Sequence, residues 1–116
     1  MPQHLPEKIS LAEAVARVSA EPTPYALLFE RGDVAVELFI PRGRDVQSPH
    51  IEDELYLIQS GAAILWRNDQ RVTCAAGDVL YVPAGMSHRF ESFSTDFRTW
   101  VIYLRSHVQA ATSTQA

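Results

Sequence analysis

Between Tyr25 and Leu104 the chain is broken at short intervals by glycine, proline, asparagine and aspartate, and no helical period fits between one break and the next. A chain cut up in this way can only build short strands. The expected strands are Tyr25–Glu30, Val34–Ile40, Leu55–Gln59, Ala63–Arg67, Gln70–Ala75, Val79–Val82, His88–Phe93 and Phe97–Leu104. Arg31-Gly32-Asp33 separates the first two, and Asn68-Asp69 is a two-residue hairpin signal. In the second run Val34, Val36, Leu38 and Ile40 share one face, the period-two pattern of a half-buried strand. About eight such strands with no intervening helices predict an all-β sandwich or barrel and rule against a parallel βαβ sheet.

One short helix precedes them. Ser10-Leu11-Ala12-Glu13 has the form of a capping box, in which the glutamate reaches back to the Ser10 N–H. Leu11, Val15 and Val18 make one apolar stripe, and Glu21-Pro22-Thr23-Pro24 ends the helix near Ser19. We expect it to lie as a lid over one end of the domain. The organisation is then an N-terminal segment with the helix (1–24), a barrel (25–105) and a small, polar, flexible C-terminal tail (106–116).

Composition narrows the function classes. The 116 residues are 47% apolar and 21% charged, an ordinary globular balance that excludes disorder. The net charge of −4, without a basic run, argues against nucleic acid and anionic membranes as partners. A single cysteine, Cys74, excludes an internal disulfide framework and reads as a small buried hydrophobe. No apolar stretch approaches the roughly 18 residues of a membrane span, and the first residues lack the pattern of a secretory signal. The expected setting is cytoplasmic.

Two stretches carry chemistry. In Gly77-Asp78-Val79-Leu80-Tyr81-Val82-Pro83-Ala84-Gly85-Met86-Ser87-His88, a turn, a strand and a second sharp turn aim a histidine at a fixed spot. The other is His50-Ile51-Glu52-Asp53-Glu54-Leu55-Tyr56-Leu57-Ile58-Gln59-Ser60-Gly61. On one straight strand His50 and Glu54 would stand roughly 13 Å apart, so a turn at Glu52-Asp53 is needed to bring them together. Glu52 and Asp53 themselves are expected to face solvent. Two imidazoles and one carboxylate then converge, a donor set suited to first-row divalent metals.

These stretches resemble the two motifs of the cupins. The second motif of that family runs Gly, five residues, Pro, any residue, Gly, two residues, His, and it is matched by Gly77, Pro83, Gly85 and His88. The first is matched at His50, Glu54 and Gly61. Together the motifs cover residues 43–92. The resemblance implies a double-stranded β-helix, or jelly-roll barrel, with a metal in its mouth. Three positions depart from the pattern: Ser48 stands where the family has its first histidine, Gly43 lies one residue nearer than usual, and Ser92 replaces the closing asparagine. The implied ligand set is therefore His50, Glu54 and His88, with the Gln47 amide oxygen a candidate for the missing ligand. The ion would be iron, manganese, nickel or zinc.

Strand alternation from Glu54 brings Tyr56 and Ile58 to the same side, and from His88 it brings Phe90 and Ser92. Tyr56, Ile58, Phe90 and Ser48 are the expected pocket lining, while Arg42, Arg44 and Arg98 are candidates to hold an anionic substrate. His4 and His107 are expected to be inert. The resemblance implies a metal-dependent enzyme acting on a small organic substrate and supports dioxygenase, isomerase, lyase and decarboxylase alike; the open facial donor set favours dioxygenase chemistry slightly over isomerase or lyase. The alternative is a non-catalytic small-molecule-binding or sensor module with a structural metal or none. A homodimer is expected because barrels of this kind leave flat apolar sheet faces.

Overall fold

A computed structural model describes residues 7–45 and 47–105; the expected flexible tail, His4 and His107 lie outside the described residues. The helix α1 (Leu11–Ala20) is followed by β1 (Tyr25–Arg31), β2 (Val34–Phe39), β3 (Asp53–Ser60), β4 (Ala62–Arg67), β5 (Gln70–Ala75), β6 (Val79–Val82), β7 (His88–Phe93) and β8 (Arg98–Leu104). The strands form two antiparallel sheets, in the orders β1-β2-β8-β3-β6 and β5-β4-β7. This is the expected jelly-roll barrel. The β4–β5 hairpin turns at Asn68 and Asp69, both at positive φ (45° and 67°), the backbone that a two-residue loop between twisted strands requires.

Register fixes which side chains meet. Across the larger sheet Ala35, Tyr103, Glu54 and Val82 form one row, and Glu37, Val101, Tyr56 and Leu80 form the next. Both rows face the second sheet, so the barrel core gathers Phe39, Tyr56, Ile58, Val82 and Val101 from one sheet with Ala63, Leu65, Cys74 and Phe90 from the other, plus Phe97 from the turn before β8. Tyr56 meets Phe90 edge-to-face and Phe97 meets it at a tilt, each at 4.9 Å between ring centroids. Cys74 is buried, as expected, and its thiol donates to the Ala63 carbonyl.

The opposite face of β1 and β2 is covered by α1, whose Ala14 and Val18 are buried against Ala26 and Leu38. The helix thus lies along the outside of the sheet and does not cap an end, because its apolar stripe finds the exposed alternation of β1 and β2. The Glu13 N–H donates to Ser10 Oγ at 3.1 Å as a capping box demands. The Glu13 carboxylate, however, accepts from the Ser10 hydroxyl at 3.0 Å and does not reach the Ser10 N–H.

Between β2 and β3 the stretch 40–52 forms a strap with no strand among its described residues. It is fastened at several points. Ile40 N–H donates to Pro24 O, and Phe90 N–H and the Gln47 amide both donate to the buried Asp45 Oδ2, each at 2.7 Å. At its far end Gly85 N–H donates to the His50 carbonyl at 2.6 Å.

Candidate metal centre

Each donor of the expected set is placed by a different local device. Glu54 lies on β3, held between β8 and β6, and points inward because its row does. His88 opens β7 directly after the Pro83–Gly85 turn, where Gly85 has a φ of +80°. His50 closes the strap. The bend falls at Ile51–Glu52, one residue earlier than expected, and β3 begins at Asp53. Asp53 and Glu52 are not merely solvated. Asp53 Oδ1 accepts from Ala84 N–H at 2.8 Å, and Glu52 takes the Arg105 guanidinium at 3.2 Å. Asp53 and the His50 carbonyl therefore stitch the two motifs to each other through one turn, which is why histidines 38 positions apart in sequence stand with ring centroids 5.5 Å apart.

The donor atoms converge. One donor from each of His50, Glu54 and His88 lies within 4.8 Å of the others. His50 Nε2 is 3.9 Å from Glu54 Oε2, and His88 Nε2 is 2.8 Å from Glu54 Oε1. His88 Nδ1 lies 2.9 Å from the Met86 carbonyl, which as an acceptor assigns a proton to Nδ1 and leaves Nε2 as the ring nitrogen turned to the cluster. Nε2 faces a carboxylate oxygen. His50 Nε2, His88 Nε2 and Glu54 Oε2 are all buried without a hydrogen-bond partner; the close His88–Glu54 approach is an ion-pair distance that misses hydrogen-bond alignment. Buried acceptors turned on one another are costly unless a cation sits between them. Burial by itself would lower the pKa of His88, but the Glu54 carboxylate outweighs it and the net direction is up. The site favours positive charge, and its donors fit a divalent ion.

A cavity of about 430 Å³ opens beside His50, lined by Tyr56, Glu37, Phe39, Val101, Tyr103, Arg44, Gln47 and Ser48 among others. His88 instead borders a more open groove of about 740 Å³ with Phe90, Trp66 and Arg89. Arg44, Asp45, Gln47 and Ser48 border both, so the strap is the wall between them.

Of the expected pocket residues, Tyr56 and Ser48 line the cavity, Phe90 lines the groove, and Ile58 faces inward but sits deeper, in the core. Ser92 faces out, contrary to the alternation. Ile64 pairs with Ser92 but Leu65 with Phe90, so a β-bulge at Glu91 shifts the register and flips the following residues. Gln47 stands beside the cluster with its amide engaged: its oxygen accepts from the Tyr56 hydroxyl at 3.3 Å and its nitrogen serves Asp45. Arg42 and Arg44 reach the cavity wall; Arg98 begins β8 and is not on it.

Sequence reasoning missed Glu37 and Arg105 on the cavity wall, and it could not decide which face Tyr103 takes, which the structure turns to the cavity. The alternation of β2 was correct, but it could not tell that the face opposite Val36 and Leu38 is the barrel interior. The available signal was a lone glutamate within an otherwise apolar strand. Burial pushes Glu37 from the usual 4.5 up to about 7, partly offset by a bond from the Tyr103 hydroxyl. Burial likewise pushes the Tyr103 phenol far up.

An all-β barrel with two imidazoles and a carboxylate gathered at its mouth defines a class of small metal-site jelly rolls. The chain belongs to the cupin domain family, whose model matches residues 35–103. An uncharacterised protein of Streptomyces coelicolor is 41% identical over 59 residues, which are 51% of this chain and 56% of that protein, so the match spans little more than half of the relative's length. Among solved structures, a cupin superfamily protein from Desulfitobacterium hafniense is similar at 28% identity and a TM-score of 0.64, with 90% of this chain and 97% of that one covered. A cupin-2 domain protein from Shewanella frigidimarina is similar at 20% identity and a TM-score of 0.65, covering 84% and 94%. Cupins commonly bind divalent metals, and this chain carries a cluster of the right kind. Its described helix is not long and apolar enough to cross a membrane.

Proposed function

We propose that the chain is a metal-dependent enzyme acting on a small organic substrate in the cavity beside His50. The observation that carries this is the convergence of three buried donor atoms that lack hydrogen-bond partners, at the edge of a cavity large enough for a small molecule. His50, Glu54 and His88 would hold iron, manganese, nickel or zinc, with Gln47 and Ser48 on the adjoining wall. Such an ion, when bound, supplies Lewis-acid polarisation of a substrate oxygen. The protein's own part is to position the substrate against Tyr56 and Tyr103 and to limit water, while the Met86 carbonyl holds the His88 ring in one tautomer.

Three ligands leave open positions, which suits oxygen chemistry; an acidic group on the cavity wall suits the proton transfers of an isomerase or lyase. The non-catalytic sensor reading keeps the cavity and drops the turnover. Elemental analysis of untagged protein, purified without added metal, tests the centre. We expect retained or readily bound metal, and loss of most of it in His88→Ala with the fold intact. Wild-type protein that retains no ion and takes none up on titration sinks the reading.

The expected homodimer would use the outer face of the larger sheet, where Val79 and Tyr81 are 61% and 49% exposed beside half-buried Leu55 and Ile102. Light scattering that gives a monomer mass at tens of micromolar protein would remove that assembly.

A further inference from the structure

Three acidic residues line the cavity, and they differ in how they are held. Asp45 accepts two hydrogen bonds at 2.7 Å, and Glu52 is paired with Arg105. Glu37 takes only a long bond, 3.4 Å from the Tyr103 hydroxyl. Among the described residues neither a cation nor a backbone N–H pins it. It projects from the middle of β2, flanked in register by Leu27 and Val101, so its backbone is rigid while its carboxyl group is free toward the cavity.

The cations divide the same way. Arg105 is engaged by Glu30 and Glu52, and Arg42 donates to the Val18 carbonyl at 3.1 Å. Arg44 lines the cavity without a partner among the described residues. Among the described residues, one weakly held acid, Glu37, and one unpaired cation, Arg44, thus line the cavity that His50 borders.

We propose that Glu37 is the proton-transferring carboxyl group of this cavity, and that the ligand is a small enolisable oxo acid whose carboxylate faces Arg44. This rests on the metal-dependent reading above and selects proton transfer within it. The C–H bond beside the oxo group breaks, its proton passes to a Glu37 oxygen, and its electron pair forms the enolate with negative charge on the oxo oxygen. Returning the proton to the same carbon gives exchange, or epimerisation where that carbon is a stereocentre. No oxidant or reductant is consumed.

The surroundings set Glu37 for this work. Burial raises its pKa to about 7, so at neutral pH it exists both as base and as acid. The groups that face it are Tyr103 on β8 and Arg105 just beyond, Glu54 on β3, and Glu52 in the preceding bend. Tyr25 of β1 shares the cavity wall. Of these, Glu54 and Glu52 raise its pKa, while Tyr103 and Arg105 lower it.

The test is proton–deuterium exchange into pyruvate, 2-oxobutyrate and acetoacetate in D₂O, followed by NMR on metal-loaded protein whose ion content is measured on the same samples. Wild type should accelerate exchange of at least one probe, with a rate that rises through pH 7. Glu37→Gln should slow that exchange by about 100-fold or more while keeping the affinity for the probe and the ion. Glu37→Asp should recover part of the rate. An independent readout is the carboxyl carbon titration of Glu37 by NMR: its midpoint should lie near 7 and move up in Tyr103→Phe, which removes the bond that lowers it. Loaded wild type that exchanges none of the probes, full activity in Glu37→Gln, or an ordinary midpoint near 4.5 each overturns the inference while leaving the metal centre standing. Wild type without any ion removes the metal reading instead, and this one with it.

Discussion

Asp45 offers a prediction whose two halves point in opposite directions. Its carboxyl group is buried at the joint between strap and β7, and both of its hydrogen bonds end on one oxygen, Oδ2. Asp45→Ala removes that acceptor and leaves the Phe90 N–H, beside a fully buried ring, without a partner. An unsatisfied buried donor costs about 1–3 kcal/mol, and the vacated space and loosened Gln47 add roughly 1 kcal/mol more. The expected loss is therefore about 2–4 kcal/mol, or roughly 8–20 °C in melting temperature for a domain of this size. Asp45→Asn should behave differently. One amide oxygen can accept both bonds, and the neutral group escapes the burial that pushes the Asp45 pKa up. Asn should stay within about 1 kcal/mol of wild type at pH 7. Urea unfolding of the metal-free proteins measures both. The strap also carries His50, so Asp45→Ala should weaken metal binding by about 10–100-fold, as loss of groups supporting a ligand does. Asn as damaging as Ala would show that the charge matters and the acceptor does not. Ala costing less than about 1 kcal/mol would show that the joint is not a fastener.

Other expectations follow from the same coordinates. Gly61→Ala puts a Cβ 2.7 Å from the Phe97 Cα and 2.5 Å from Ser94 Oγ, at a φ of +77°, and should destabilise by about 2–5 kcal/mol in denaturant titration. Gly85→Ala, at φ +80° with open space, should cost only about 1–2 kcal/mol, and equal costs for the two would refute the close approach at Gly61. For Glu37 the folded pKa of about 7 lies above the usual 4.5, so the unfolded chain loses its proton first and stability falls as pH rises from 4.5 to 7. At about 1.4 kcal/mol per pKa unit the ceiling is about 3.5 kcal/mol, reduced to about 1–2 by the solvent-open cavity; Glu37→Gln should abolish that slope in melts across pH. Chelation should lower the wild-type melting temperature, by the equivalent of about 2.7 kcal/mol if the ion had been at 100 times its Kd, and leave His88→Ala unmoved.

What the sequence disclosed followed from local physics. Gln70–Ala75, Val79–Val82 and His88–Phe93 match their strands end to end, because turn residues mark the breaks and period two marks the runs. The pairing of His50 with Glu54 was legible through the length a straight strand would impose. The rest depends on partners far away in the chain. Alternation showed that Glu37 shares a face with Ala35 and Phe39, but only pairing with β8 opposite the second sheet makes that face the interior. The outward turn of Ser92 comes from a bulge that exists only against β4. The fastening by Asp45 could not be read from the sequence because its partner, the Phe90 N–H, is a backbone group 45 residues on.

The centre is built unequally, and its chemistry follows from that. Glu54 and His88 stand on ladder strands, whereas His50 stands on the strap, which is held by a few side-chain and turn bonds. Backbone pairing fixes a ladder residue many times over, but a strap residue is only as fixed as its fasteners. His50 faces the cavity and His88 the groove, with the strap between, so the residues that would hold an ion are divided between the two spaces. Asp45, Asp53 and Gly85 thus hold the His50–Glu54–His88 cluster together without belonging to it, since they fasten the strap and the turn beside it. Ser48, in the position where cupins commonly carry another histidine, borders both spaces on that same strap. A third imidazole there would give the strap a second ligand; a serine leaves the strap to the hydrogen bonds of Asp45 and the His50 carbonyl, and leaves room on the cavity side for substrate oxygen.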